Sequence, residues 1–443
     1  MIGAAMAVAS APPLPLAHLL PIDAAIGANG SLQIAGCDLV ELARQYGTPA
    51  YVVSEADLRE RARAYMSELA ALHRDFDVLF ASKAFPCTAV SRVLAQEGLA
   101  CDVASGGELA LALRAGFDPR RIYMHGNAKS LGELREALAA GVGHIVIDSL
   151  GEIERLEQVA AACGRRQRVL LRVTPGVAGD THAAISTGQA DSKFGLGLDQ
   201  ASAAIARLKR SRTLELVGLH FHIGSQLLEL EPFQEAIRQV AKLGRFGVYN
   251  LGGGLGVAYT RDQEPPSITA YVRALVSTAH AELGAGVRLL VEPGRSLVAR
   301  STVTLYEVQS IKRNVSTWVG LDGGMSDNLR PMLYGARYEA LLAARPAAAP
   351  CQRYRLVGKH CESGDVIISD AMLPPLTVGD IVLTPATGAY GYALANNYNG
   401  VPRPPVIICA GGRARVVVRR ETYADLMARD VDEGGDVNEG ADS

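Results

Sequence analysis

Eight short apolar or β-branched runs, separated by stretches with helical spacing, fill residues 78–295. They are "VLFASKA" (78–84), "CDVAS" (101–105), "IYMHG" (122–126), "HIVID" (144–148), "RVLLRVTP" (168–175), "VGLHFHIG" (217–224), "VYNLGGG" (248–254) and "LLVEPGR" (289–295). The segments between them, such as "GELALALRAG" and "LGELREALAAG", carry Leu and Ala at helical spacing and end in Gly. Eight strands alternating with helices predict an α/β fold, a closed (β/α)8 TIM barrel. A doubly wound sheet is the other way to arrange such units, and eight regular units favour closure.

A helix over about 55–73 leads into the barrel. After residue 300 the texture changes to β runs broken by Gly, Pro and Asp, among them "STVTLYEVQSIK", "GDIVLTP" and "PVIICAGGRARVVVRR". This predicts a second, mainly β domain from 300–425, joined by residues 21–50, with the barrel over 51–299. Residues 1–20 are Ala/Pro-rich without Lys or Arg, which reads as a flexible extension rather than a secretory signal. Residues 426–443 read as an acidic, disordered tail. No apolar run is long enough to span a bilayer. A formal net charge of −2 gives no electrostatic reason to expect nucleic acid or a membrane surface. The seven cysteines include no C-x-x-C pair, as expected of reduced thiols in the cytoplasm.

In such a barrel, chemistry gathers at the C-terminal strand ends. Those ends carry Lys83, Asp102, Ser105, His125, Asn127, Asp148, Arg172, His222, Ser225, Gly252 to Gly254, Glu292 and Arg295. Lys83, in "FASKAF", is either a solvated strand end or a desolvated amine, and desolvation lowers an amine's pKa and makes it nucleophilic. "NLGGGLG" (250–256) follows the seventh strand, where barrels commonly bind phosphate. Alternation in "HFHIGS" (220–225) places His220 and His222 on one face, without a nearby acidic third ligand, so no metal site is expected. Glu292, in "EPGR", is either a salt-bridged structural residue or a carboxylate that keeps a ring nitrogen protonated.

"FASKAF", "HGNAKS", "DSKFGLGL", "HFHIGSQ", "NLGGGLG", "EPGRS", "LDGGMSDNLRPMLYGARY", "VGKHCESGD" and "TGAYGYALANNYNGVPRP" together resemble the diaminopimelate decarboxylase family. These are pyridoxal-phosphate enzymes of the alanine-racemase and ornithine-decarboxylase fold. The resemblance runs over about 25–425, in the family's order. It implies pyridoxal 5'-phosphate as cofactor and decarboxylation of meso-2,6-diaminopimelate to L-lysine, the last step of lysine biosynthesis. Lys83 resembles the lysine that holds the cofactor, His222 the histidine stacked on the pyridine ring, and Glu292 the carboxylate facing the pyridine nitrogen. Ser225, Gly253, Gly254 and Tyr390 resemble the phosphate cradle. The substrate binders map to Arg295, Arg330, Tyr334, Glu362 and Tyr390. Cys361 matches a cysteine that reaches the active site from the partner subunit of a homodimer, either to return a proton or to shield the carbanion.

The substrate has an amino-acid group at each end. Its far carboxylate suits two arginines, which ornithine, lysine and arginine would leave unused. A decarboxylase of one of those amino acids is the first alternative. A racemase is disfavoured by Glu292, since racemases of this fold place an arginine at the ring nitrogen. A non-catalytic relative is disfavoured by the presence of Lys83 and Cys361. Two positions depart from the family pattern: Ala128, where a polar residue is expected, and "THAAIST" (181–187), which lacks a bulky residue before its Ile.

Overall fold

The computed structural model describes residues 13–177 and 192–431. "THAAIST" and the start of "DSKFGLGL" therefore lie outside the described residues. Eight parallel strands, Phe76–Ala81, Ala100–Val103, Ile122–Met124, His144–Ile147, Gln167–Thr174, Leu214–His220, Val248–Asn250 and Arg288–Val291, form a sheet that closes on itself. Closure occurs where Val78 pairs with Val291 and Leu289 with Phe76. The predicted barrel is thus present, with each strand within a few residues of its apolar run.

Alternation along the strands divides the core. Leu79, Ala100, Tyr123, Val146, Leu170 and Leu290, with Val217 and Val248 packed against them, form a separate cluster, one residue from each strand. This layer fills the barrel interior. Neighbouring positions such as Val78, Phe80, Cys101 and Val103 join the larger cluster shared with the helices. Serines open the helices. The Ser105, Ser130 and Ser149 hydroxyls each accept the N–H three residues on, from Glu108, Glu133 and Glu152. Gly116 and Gly141 end two of these helices in the left-handed conformation.

The second domain is built on a mixed sheet. Its strands run Val366–Leu373, Gln352–Val357, Thr317–Leu321, Thr302–Arg313, Ala50–Ser54, Val406–Ala410 and Arg413–Val418. Ala50–Ser54 belongs inside this sheet, so the first barrel element is the helix Glu55–Leu72 and the expected boundary at residue 51 moves. Its pairing partners are distant in sequence, which no local pattern reveals. Residues 24–38 form a small antiparallel sheet of their own, whose Leu32 and Ile34 pack with Val303, Leu305 and Ile407. A flexible segment through residue 20 does not hold for its last part. Leu19 and Leu20 are fully buried, and the Arg300 guanidinium donates to the Leu20 carbonyl at 2.6 Å. At the other end a short helix, Tyr423–Met427, enters the segment expected to be disordered.

One buried ion pair fixes the loop after the third barrel strand. Lys129 Nζ donates to the carbonyls of Gly126 at 2.6 Å and Val146 at 2.8 Å, and lies 2.7 Å from Glu152 Oε1. The buried ammonium thus has two carbonyl acceptors and a carboxylate counter-charge. Glu152 Oε2 accepts the Asp148 N–H at 3.0 Å, tying this loop to the end of the fourth strand. Glu152→Ala strands a buried ammonium and is expected to lower stability by about 3 kcal/mol in urea unfolding. Lys129→Met combined with Glu152→Leu is expected to recover most of that loss, because it removes both charges.

Candidate active site

The C-terminal strand ends open into a cavity of about 410 Å³, within the range of small-molecule and cofactor sites. Its walls include Lys83, His125, Asn127, Arg172, Lys193, Phe194, His222, Ser225, Glu292, Arg295, Tyr334 and Tyr390. Residues from the first, third, fifth, sixth and eighth strand ends meet there with two from the β domain. Arg330, Cys361 and Glu362 are not among the described lining residues.

Lys83 sits in a single 3₁₀ turn, Ser82–Ala84, directly after the first strand. Its side chain is accessible from the cavity yet lies deep among protein atoms. Burial pushes the amine down, but Asp102, Tyr390 and Glu292 outweigh it, so the net direction is up. The opposing charges come from other strands and from the β domain. Asp102 itself is pushed up to about 6, first by burial and against the pull of His125.

Glu292 is the most heavily bonded group of the site. His125 Nε2 lies 2.8 Å from Oε1, His220 Nε2 lies 3.2 Å from Oε2, and Asn250 Nδ2 donates to Oε1 at 2.6 Å. Burial alone would raise its pKa; His125 and His220 outweigh burial and hold it well below the usual carboxylate range. A carboxylate has about four lone-pair directions. His220 and Asn250 occupy two of them, which leaves the carboxylate able to accept from a donor in the cavity. His220 ends the sixth strand and His222 follows it by two residues; both line the cavity, as their alternation predicted. The acidic neighbour that the sequence reading did not find for His220 is Glu292.

His222 lies in the loop after that strand and accepts the Gly253 N–H on Nδ1 at 3.2 Å. Burial, Lys83 and Arg172 push its pKa well below the ordinary value, so the ring is neutral. The glycine turn cannot carry side chains. A Cβ on Gly253 would stand 2.0 Å from the Glu292 carbonyl, and one on Gly254, at φ +121°, 2.4 Å from the Gly224 carbonyl. Asn250 Oδ1 accepts the Gly252 N–H at 3.0 Å, so one side chain holds both this turn and Glu292. A basic tether, an anionic partner with a free lone pair, a neutral imidazole and a backbone cradle fit pyridoxal phosphate.

Arg295 begins the short helix Arg295–Val298. It donates to Ser225 Oγ at 3.0 Å and to the Tyr259 hydroxyl, and stacks over the Tyr390 ring at 5.0 Å. Tyr390 holds φ +59°, unusual for a bulky residue, and its N–H donates to the Ala84 carbonyl at 2.9 Å. Arg330 is buried, with its guanidinium 4.3 Å from the Tyr259 ring and donating to Tyr338. Both guanidiniums thus lie near the Tyr259 ring, Arg295 at 5.7 Å and Arg330 at 4.3 Å. Tyr334, one turn after Arg330, reaches the cavity wall. Cys361 and Glu362 are exposed on the β domain, where the Cys361 N–H donates to Asn399 Oδ1 at 2.9 Å. Asp365 is structural: its carboxylate binds His360 Nδ1 at 2.7 Å and the Met325 N–H at 2.8 Å.

Several site residues had no role assigned from sequence. His125, Asp102 and Arg172 were visible only as polar strand ends. Asn250 had the same signal, a polar residue closing an apolar run before a glycine turn. Tyr259 has no local signal, since its partners, Arg295 and Arg330, come from elsewhere in the chain.

Residues 55–299 match the family model for the pyridoxal-dependent decarboxylase, pyridoxal binding domain. The chain is 46% identical over 428 residues to the diaminopimelate decarboxylase of Mycobacterium tuberculosis, covering 91% of this chain and 95% of that one. It is 43% identical over 420 residues to the Bacillus subtilis enzyme, covering 91% and 96%. Among solved structures, diaminopimelate decarboxylase from M. jannaschii in complex with L-lysine superposes with a TM-score of 0.86 at 34% identity, covering 92% of this chain and 97% of that one. The Helicobacter pylori enzyme complexed with L-lysine gives 0.82 at 32% identity, covering 88% and 98%. The chain belongs to the diaminopimelate decarboxylase family of pyridoxal-dependent enzymes.

Proposed function

We propose that the protein removes one α-carboxylate of meso-2,6-diaminopimelate, releasing carbon dioxide and L-lysine, with pyridoxal phosphate bound in the barrel cavity. The observation that carries this reading is the convergence of Lys83, Glu292 and Arg295 on one cavity. The cofactor, when bound, supplies an electron sink for the pair left by the departing carboxylate. Lys83 would hold the cofactor at its aldehyde group. Glu292 uses its remaining lone pair to face the pyridine nitrogen. His222, being neutral, lies against the ring face without adding charge. Gly253, Gly254, Ser225 and Tyr390 hold the phosphate.

At the substrate's far end, Arg295, Arg330, Tyr334 and Tyr390 recognise the carboxylate and Glu362 the ammonium. Arg295 is held in place by Ser225 and Tyr259, so little of its freedom remains to be lost on binding. Cys361 and Glu362 of one protomer complete the cavity of its partner in a homodimer. Their exposure on the β domain, away from the lining of their own chain's cavity, supports this arrangement. Cys361 there returns the proton to the α-carbon or shields it from solvent. Seven free cysteines support residence in a reducing compartment, the cytoplasm. No helix among the described residues is long and apolar enough to cross a membrane.

Three measurements test these roles. The cofactor-loaded protein is expected to release carbon dioxide from meso-diaminopimelate, and at rates at least about a hundredfold lower from ornithine, lysine and arginine. Equal rates on lysine or ornithine would overturn the substrate assignment. Lys83→Ala is expected to lose the visible absorbance band of the bound cofactor; an unchanged spectrum would remove Lys83 from its role. Lys83→Ala and Cys361→Ala proteins, each inactive, are expected to regain activity when unfolded and refolded together, with about a quarter of all sites restored by random two-fold pairing. Absence of recovery would place the whole site within one chain.

A further inference from the structure

One buried carboxylate of the β domain joins the loop that leads to Arg330 and Tyr334 to the loop that carries Cys361 and Glu362. Asp365 Oδ1 accepts the Met325 N–H at 2.8 Å. Asp365 Oδ2 accepts from His360 twice, from its backbone N–H at 3.1 Å and from Nδ1 at 2.7 Å. Asp365 and His360 are both buried, and His360 directly precedes the exposed Cys361. The backbone repeats the connection, since the Lys359 N–H donates to the Gly323 carbonyl and the Gly358 N–H to the Asp365 carbonyl, each at 3.0 Å. The loops are also in close contact. A Cβ on Gly358 would stand 2.0 Å from Asp365 Oδ2, and one on Gly324 2.5 Å from the same atom.

Each loop continues toward a residue of the site. The Asp327 and Asn328 N–H groups fold back onto the Gly324 carbonyl at 3.1 and 2.9 Å, so the turn held by Asp365 runs into the helix Arg330–Tyr334. Tyr334 lines the cavity of its own chain. On the other side, the His360 ring stacks on Tyr398 at a centroid distance of 5.8 Å and 9°. The next residue but one from Cys361's own partner closes the cluster: Asn399 Oδ1 accepts the Cys361 N–H at 2.9 Å, and the Asn396 N–H donates to the Ser326 carbonyl at 2.9 Å.

We propose that Asp365 is a positioning residue for two active sites at once. Through Met325 it aligns Arg330 and Tyr334 toward the cavity of its own chain, and through His360 it aligns Cys361 and Glu362 toward the cavity of the partner. The inference rests on the reading that the active site is shared between the subunits of a homodimer. The physical reason lies in what a carboxylate can accept. Both oxygens are acceptors, so one side chain satisfies donors from both loops, and burial leaves no water to replace it. An asparagine in its place has the same shape but one amide nitrogen. Whichever way it turns, that nitrogen confronts a backbone N–H, of Met325 on one side or of His360 on the other.

The test uses mixed dimers of cofactor-loaded protein. When Lys83→Ala and Cys361→Ala chains are refolded together, each mixed dimer has one competent site: the barrel of the Cys361→Ala chain, completed by Cys361 of the Lys83→Ala chain. Asp365→Asn placed on the Lys83→Ala chain acts on the loop entering that site, and is expected to lower kcat by about tenfold. Placed instead on the Cys361→Ala chain, it acts beneath Arg330 and Tyr334, and is expected to raise KM for meso-diaminopimelate by about tenfold with little change in kcat. Both effects are read against the mixture without the Asp365 change. His360→Phe on the Lys83→Ala chain keeps the stacking on Tyr398 but removes the Nδ1 bond; it is expected to lower kcat, and decides the matter if Asp365→Asn does not refold. Parent values in either arrangement of Asp365→Asn, or with His360→Phe, overturn the role of Asp365 and leave the shared site standing. If the parent mixture itself recovers no activity, the shared site fails, and the inference fails with it.

Discussion

Val78 pairs with Val291 across the seam where the first barrel strand meets the eighth, and this parallel pairing closes the barrel. Lys83 follows one of these strands and Glu292 the other, so closure brings the amine and the carboxylate to the mouth of a single cavity. The seam is tight. The Ala81 N–H donates to the Pro293 carbonyl at 3.2 Å, and a Cβ on Gly294 would meet Ala81 Cβ at 3.0 Å. A side chain at 294 would therefore wedge the two strand ends apart. The rest of the site is arranged around this junction: the glycine turn against the Glu292 backbone, Arg295 one residue beyond the wedge point, and Tyr390 bonded back to Ala84.

Closure also concentrates charge where water is scarce. Asp102, Glu292, Lys83, Arg172 and Asp148 come from five different strand ends, and a buried charge is tolerated only when paired or hydrogen-bonded. The protein meets this requirement with side-chain donors at Glu292 and with the Lys129–Glu152 pair beneath the neighbouring loop. In each case burial and partners act in opposition. At Glu292 the partners win, and at Asp102 burial wins. Two carboxylates of similar intrinsic acidity are thereby driven apart, which gives the cavity one firmly ionised group and one that titrates near neutrality.

Much of this was legible along the chain. The alternation of apolar runs and helical spacing identified all eight strands, and the polar residues closing them included Lys83, His222, Glu292 and Arg295. Motif order was enough to assign the family. Other features left no local trace. The boundary read at residue 51 cuts through Ala50–Ser54, and only its neighbours in the β sheet show which domain it serves. His220 and His222 read as facing one way and both line the cavity, but their different partners, Glu292 and the Gly253 N–H, left no trace in the sequence. Arg330 and Arg295 read as a pair, and the Tyr259 ring that both approach left no trace in the sequence.

The sequence by itself determined the repeat, the barrel, and which residues close its strands, because side-chain period and glycine or serine punctuation are properties of neighbouring residues. Only the tertiary structure decided the charge states of the site and the partners of each group. Desolvation and Coulomb attraction depend on distances between atoms from different strands, and those distances exist only once the barrel has closed. Lys83 shows the difference most plainly. Its sequence neighbours leave open a solvated or a desolvated amine, while its spatial neighbours, Asp102, Tyr390 and Glu292, push its pKa up against burial.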